Sequence, residues 1–182
     1  MCTPGKSVRW LWAIWGLAGI AQAEIVSESK VRAAILLQVA NYTEWPAAVF
    51  RSVQEPFQFC VMGDSRLALA LSEVARDRKV YGHVVTVRQV ENVRDLLSCQ
   101  VVFVRYSRER QIRDIVLAIR SAPVLSVGEA EGFISCGGIM NLAWENGSVR
   151  FEINQDSARS AGLAISSRLL RLARLHGVTG DR

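Results

Sequence analysis

Between Phe57 and Val127 strand-like and helix-like patterns alternate, and that alternation restricts the fold more than any other feature of the chain. Phe57 to Met62 is a compact apolar run of the kind that fills a strand buried on both faces. Gly63-Asp64-Ser65 then turns the chain into a helical segment reaching about Arg76, with Asp64 or Ser65 placed to cap it. Val84 to Val90 is β-branched and alternating, and Val101 to Val104 is a short core strand introduced by Cys99. Arg108 to Arg120 carries Ile112, Ile115, Val116 and Ile119 on one helical face, and Pro123 to Val127 is a further strand. Strands separated by helices cross over rather than turn back, so the spacing predicts a mainly parallel sheet with helices on both faces.

The flanking segments complete the expectation. Residues 25–44 read as a helix on Val31, Ile35, Val39 and Tyr42, backed by Ala34, Leu36 and Leu37, and Pro46 is expected to end it. Trp45 and Pro46 form an aromatic corner that reads as core. Gly137 to Ala143 and Val149 to Ile153 read as an antiparallel hairpin turning at Asn146-Gly147. Ala158, Gly162, Ile165, Leu169 and Leu172 recur at helical spacing, which predicts a last helix from about Asp156 to Leu175, closed by Gly177. The fold class expected is α/β: a single domain, a mainly parallel mixed sheet and one antiparallel hairpin.

Residues 1–23 read as a secretory leader. Lys6 and Arg9 give a positive start, Trp10 to Ile20 is apolar or glycine throughout, and Ala21-Gln22-Ala23 supplies the small residues of a cleavage site. Eleven apolar residues are too few to cross a bilayer comfortably. Cleavage after Ala23 would leave residues 24–182 as the mature domain, with the net charge of +5 falling to +3 as Lys6 and Arg9 depart. That mild positive charge is not the footprint of a nucleic-acid binder.

Chemistry is sparse. A strand leading into Gly-Asp-Ser invites a nucleotide-binding reading, but Gly63 stands alone where a phosphate loop needs several glycines. The two histidines, His83 before a strand and His176 at the end of the last helix, read as surface or helix-terminal groups rather than as a base for a cysteine nucleophile. No spacing suits a metal, so no catalytic, cofactor or metal residue is expected. Export leaves Cys60, Cys99 and Cys136 in an oxidising compartment. Cys60 and Cys99 fall in or beside strands and are either a bridge or two small buried hydrophobes; Cys136 is then the odd thiol, inert in the core or linking two chains. Arg168, Arg171 and Arg174, spaced by three, suit a solvated helix flank, an acidic partner or anionic lipid.

Several segments in order carry a resemblance. They are Lys30-Val31-Arg32-Ala33-Ala34, Thr43-Glu44-Trp45-Pro46, Phe59-Cys60-Val61-Met62-Gly63 and Ser98-Cys99-Gln100-Val101-Val102-Phe103. Pro123-Val124-Leu125-Ser126-Val127, Gly137-Gly138-Ile139-Met140-Asn141, Arg150-Phe151-Glu152-Ile153-Asn154 and Ser166-Ser167-Arg168-Leu169-Leu170 follow. Across residues 25–175 the chain resembles the YfiR family. That resemblance implies a periplasmic repressor that binds the periplasmic domain of an inner-membrane diguanylate cyclase, lowering cyclic di-GMP synthesis. It also implies a homodimer, release by an outer-membrane lipoprotein, and a disulfide between Cys60 and Cys99. Glu152 and Asn154, on the strand face opposite Phe151 and Ile153, and Arg168 are the residues expected to touch a partner. The reading from a different class is a small-molecule sensor whose ligand sits at the carboxyl ends of the parallel strands.

Overall fold

The computed structural model describes residues 16–145 and 148–177. Most of the leader's apolar run and the Asn146-Gly147 turn lie outside the described residues. The elements, in order, are α1 (Gly16–Asn41), β1 (Thr43–Glu44), β2 (Phe57–Met62), α2 (Ser65–Val74), β3 (Lys79–Val80), β4 (His83–Gln89), β5 (Val101–Val104) and α3 (Glu109–Ile119). Then follow β6 (Leu125–Gly128), β7 (Met140–Glu145), β8 (Ser148–Asn154), α4 (Gln155–Ser160), β9 (Ala164–Ile165), α5 (Ser167–Leu170) and β10 (Ala173–His176). Short 3₁₀ turns occupy Ala47–Val49 and Val93–Ser98.

Eight strands form one sheet in the order β10-β8-β7-β6-β5-β2-β4-β3, and β1 pairs separately with β9. Only the β7–β8 and β3–β4 pairs of the large sheet are antiparallel. The fold class read from the sequence is therefore the observed one. Side chains alternate across each strand, so one strand feeds two cores. Phe57, Phe59 and Val61 of β2 pack beneath α1 and α2, while Cys60 and Met62 point the other way, toward α3. The α3 stripe is as expected, with Ile112, Ile115, Val116 and Ile119 all buried. Asp64 caps α2, its carboxylate accepting from the Leu67 amide at 2.9 Å.

Three expectations need correction. The first helix stops at Asn41 rather than reaching residue 44, because Thr43 and Glu44 leave it to pair with Ile165 and Ala164. Its core face is also shifted: Leu36, Leu37 and Val39 are buried as expected and are joined by Ala33 and Ala40, whereas Val31 is 45% and Tyr42 37% exposed. The buried face includes Ser29 and Arg32, and a stripe drawn through apolar letters alone passes them by.

The largest error is the last helix, which does not exist as one element. α4 ends at Ala161 because Gly162 adopts φ +71°, a left-handed conformation that costs glycine little. The Leu163 amide donates to the Ala158 carbonyl and the Gly162 amide to the Arg159 carbonyl, both at 2.9 Å, the paired bonds of a Schellman stop. Ser166 then caps the four-residue α5, and the chain turns into β10. Arg168, Arg171 and Arg174 consequently do not share one helix flank, and His176 lies in a strand.

Candidate regulatory surface

At the far end of the sheet, β7, β8 and β10 lie side by side. Met140, Leu142 and Ile153 point into the core, with Phe151 and Ala173 partly buried against it. The alternate residues therefore reach the opposite face. There the register sets Asn141 and Arg174 on either side of Glu152, and His176 beside Asn154. Asn141 Nδ2 donates to Glu152 Oε2 at 2.9 Å. The other carboxylate oxygen, Oε1, lies 3.7 Å from Arg174 Nη1 and 3.8 Å from His176 Nε2. A cavity of about 430 Å³ opens here, lined by Glu129, Asn141, Trp144, Glu152 and His176 among others. Asn141 is 4% exposed, and its Oδ1 has no hydrogen-bond partner.

The residues expected to touch a partner separate in space. Glu152 is on this polar face, as its strand parity predicted. Asn154 is next to it but is occupied: its Oδ1 accepts from the Ser157 amide at 2.9 Å and starts α4. Arg168 is exposed on α5 and makes no ion pair among the described residues. Arg174 and His176, which the sequence placed on a helix, join Glu152 only because the chain there is a strand.

Cys60 and Cys99 are disulfide-bonded, with Cα atoms 6.0 Å apart. The bridge ties the middle of β2 to the residue that leads into β5, within the core beneath α3. Cys136 is a free, buried thiol, 8% exposed. Burial is the main cause that pushes its pKa up; the nearby Glu109 carboxylate adds to this and Arg113 opposes it. A thiol held neutral in this way is a poor nucleophile. His83 is not on the surface: it is 8% exposed, stacks on Phe50 at 4.1 Å between centroids, and sets Nδ1 2.6 Å from the Glu55 carbonyl oxygen. Of the expected aromatic corner, Trp45 is partly buried against the core, donating from Nε1 to the Pro123 carbonyl and packing edge-on against Phe57, whereas Pro46 is exposed.

One cluster went unread in the sequence. The chain leaves β2 toward β4 on one side and returns to β5 on the other, so the strand order reverses between β2 and β5. At the carboxyl ends beside that point, Arg105 Nη1 lies 3.1 Å from Asp64 and 3.3 Å from Glu129. Glu129 also accepts from Arg32 Nε at 2.6 Å and from Trp144 Nε1 at 3.3 Å. The Arg32 guanidinium lies 5.1 Å from the Trp144 ring centroid, a cation–π arrangement. The crevice is thus spanned by the chain's own ion pairs, which fasten α1 to the sheet beside a cavity of about 300 Å³ lined by Arg105, Tyr106 and Glu129.

A family model described as YfiR/HmsC-like matches residues 29–174. The chain belongs to the YfiR/HmsC-like family. Proteins of this family act in periplasmic regulation of cyclic di-GMP signalling. No described helix is long and apolar enough to cross a membrane. Among solved structures, the YfiR/HmsC-like chain is similar to a conserved domain protein from Vibrio cholerae O1 biovar El Tor strain N16961, with 14% identity and a TM-score of 0.47. The match covers 65% of this chain and 54% of that one, so the chain spans about half the length of that protein.

Proposed function

We propose that the protein is exported with cleavage after Ala23 and represses an inner-membrane diguanylate cyclase by binding its periplasmic domain. The family match over residues 29–174 carries this reading. The polar face around Glu152 is the contact surface, and a homodimer presents two such faces. Repression of this kind involves no covalent step in this chain. The repressor must bind the inactive cyclase better than the active one, and moving a cyclase from nearly all active to nearly all inactive takes a preference of about 10⁴-fold. An outer-membrane lipoprotein that takes up the repressor would release the block by mass action.

The test is cyclic di-GMP itself. Deleting the gene should raise it, the wild-type gene should restore it, and Glu152→Lys should fail to restore it while accumulating normally. Unchanged cyclic di-GMP on deletion would refute the reading. The unpartnered Asn141 Oδ1 in the cavity beside Glu152 favours a second reading, a small-molecule sensor whose ligand donates a hydrogen bond there. A calorimetric screen with hydrogen-bond donors, repeated on Asn141→Leu, tests it; heats that persist in the variant would remove the site.

A further inference from the structure

We propose that the corner formed by α5 and the start of β10 docks on an anionic phospholipid surface. The break at Gly162 creates this corner. After Ser166 the backbone makes one helical turn that continues to Leu172, with the Arg171 amide donating to the Ser167 carbonyl and the Leu172 amide to the Leu169 carbonyl, both at 3.1 Å. Arg168, Arg171 and Leu172 are then at i, i+3 and i+4 and share one face of that turn. Leu169, pointing the other way, is 4% exposed and anchors the turn in the core.

The outward face is unusual in composition. Leu172 is 70% exposed and Leu175, three residues on, is 45% exposed. Arg168 and Arg171 are exposed, and neither has a carboxylate within 4.0 Å among the described residues. Arg174, the next basic residue, is engaged with Glu152. A protruding leucine beside two arginines that have no carboxylate partner among the described residues matches a headgroup layer, where the arginines meet phosphates and the leucine enters the acyl boundary. The cavity of about 290 Å³ beside Leu172 is lined by Glu145, Arg150, Phe151, Glu152 and Arg174 but by neither Arg168 nor Arg171, so it gives a protein partner no groove from which carboxylates could chelate both guanidinium forks. Each arginine at an anionic surface is worth about fivefold in affinity.

The experiment uses the exported protein with its amino terminus verified by mass spectrometry, so that no leader contributes. Co-sedimentation is measured with vesicles of phosphatidylglycerol and phosphatidylcholine in equal parts, and with phosphatidylcholine alone. Binding should require phosphatidylglycerol and weaken with salt. R168E/R171E should lose roughly 25-fold or more with an unchanged far-ultraviolet spectrum, and R168K/R171K should stay within about twofold of wild type, because a headgroup layer reads charge and not fork geometry. Equal binding to both vesicle types, no binding, or an R168E/R171E variant that binds as wild type overturns the proposal. Loss of a vesicle-free complex with the cyclase domain in both double variants, without lipid binding by the wild type, would reassign the corner to a protein contact and equally overturns it.

Discussion

The Arg32–Glu129 pair is the sharpest quantitative test of how α1 is held to the sheet. The two side chains are 9% and 10% exposed and meet at 2.6 Å, so solvent screens them little. Their environments are not symmetrical. Glu129 keeps Arg105 and the Trp144 indole if Arg32 is removed, whereas Arg32 keeps one carboxylate, the half-exposed Glu28 at 3.3 Å, and the face of the Trp144 ring if Glu129 is neutralised. An uncompensated buried charge costs about 3 kcal/mol or more, so Glu129→Gln should lose about 3 kcal/mol. Arg32→Met, which leaves a better-compensated partner, should lose about 2 kcal/mol. The double variant should lose about 3 kcal/mol, because the second substitution removes the charge that the first had stranded, giving a coupling of about 2 kcal/mol. Urea unfolding followed by circular dichroism measures all three, and Trp144 emission reports the pair locally. Single losses below about 1 kcal/mol, or a double loss equal to the sum within about 0.5 kcal/mol, would refute the view that this pair fastens the helix.

Three further outcomes are expected. Cys60→Ala with Cys99→Ala opens a cross-link spanning 39 residues, worth about 4 kcal/mol in the chain-entropy model, and should lower Tm by roughly 10 °C; a shift of only a degree or two would show the bridge to be idle. Gly138→Ala would set a Cβ into the Phe133 ring and should cost about 1–3 kcal/mol in urea unfolding, while Gly132→Ala, in open space but at φ +77°, isolates the backbone strain. Cys136 should alkylate far more slowly in the native protein than in urea. Because its folded pKa is raised, the stability it contributes is full below the unfolded thiol pKa and declines as pH rises through the folded value; faster alkylation in the native state at neutral pH would contradict the burial.

The elements that could be read from sequence were those whose burial is uniform. β5 is a continuous apolar run and β2 is one interrupted by Gln58 alone, because both faces of each strand meet a core, and α3 shows one clean stripe because one face meets it. The last helix was misread because Ala158, Gly162, Ile165, Leu169 and Leu172 keep a helical period through a residue that ends the helix. The apolar residues are real core or surface positions, but their period is incidental. Gly162 followed by Leu163 was the available signal, since a Schellman stop commonly places an apolar residue just after its glycine. In α1 the period failed for the opposite reason: the buried face contains an arginine whose partner, Glu129, is 97 residues away. Strand parity places Glu152 on the polar face, but Asn141 and Arg174 reach it through pairing between strands, which no local pattern encodes.

Two carboxylates near the carboxyl end of the sheet differ in how firmly they are held, and the difference favours the proposed contact around Glu152 over one at the switch point. Glu129 has its needs met at short range by Arg32, with Arg105 and Trp144 in support, so a partner would have to break a settled network to engage it. Glu152 has one good bond, to Asn141, while its two cations stand at 3.7 and 3.8 Å, beyond hydrogen-bonding distance. Replacing those long contacts with a partner's donors sacrifices little. The strand that brings the cations, β10, is four residues long at the sheet edge and pairs only with β8, so it can adjust without disturbing the disulfide-bonded centre. Binding surfaces are drawn from such loosely held parts of a fold because the cost of rearranging them is small. Pairing with β7 fixes where β8 stands, and the long contacts to Arg174 and His176 leave Glu152 available to a partner's donors.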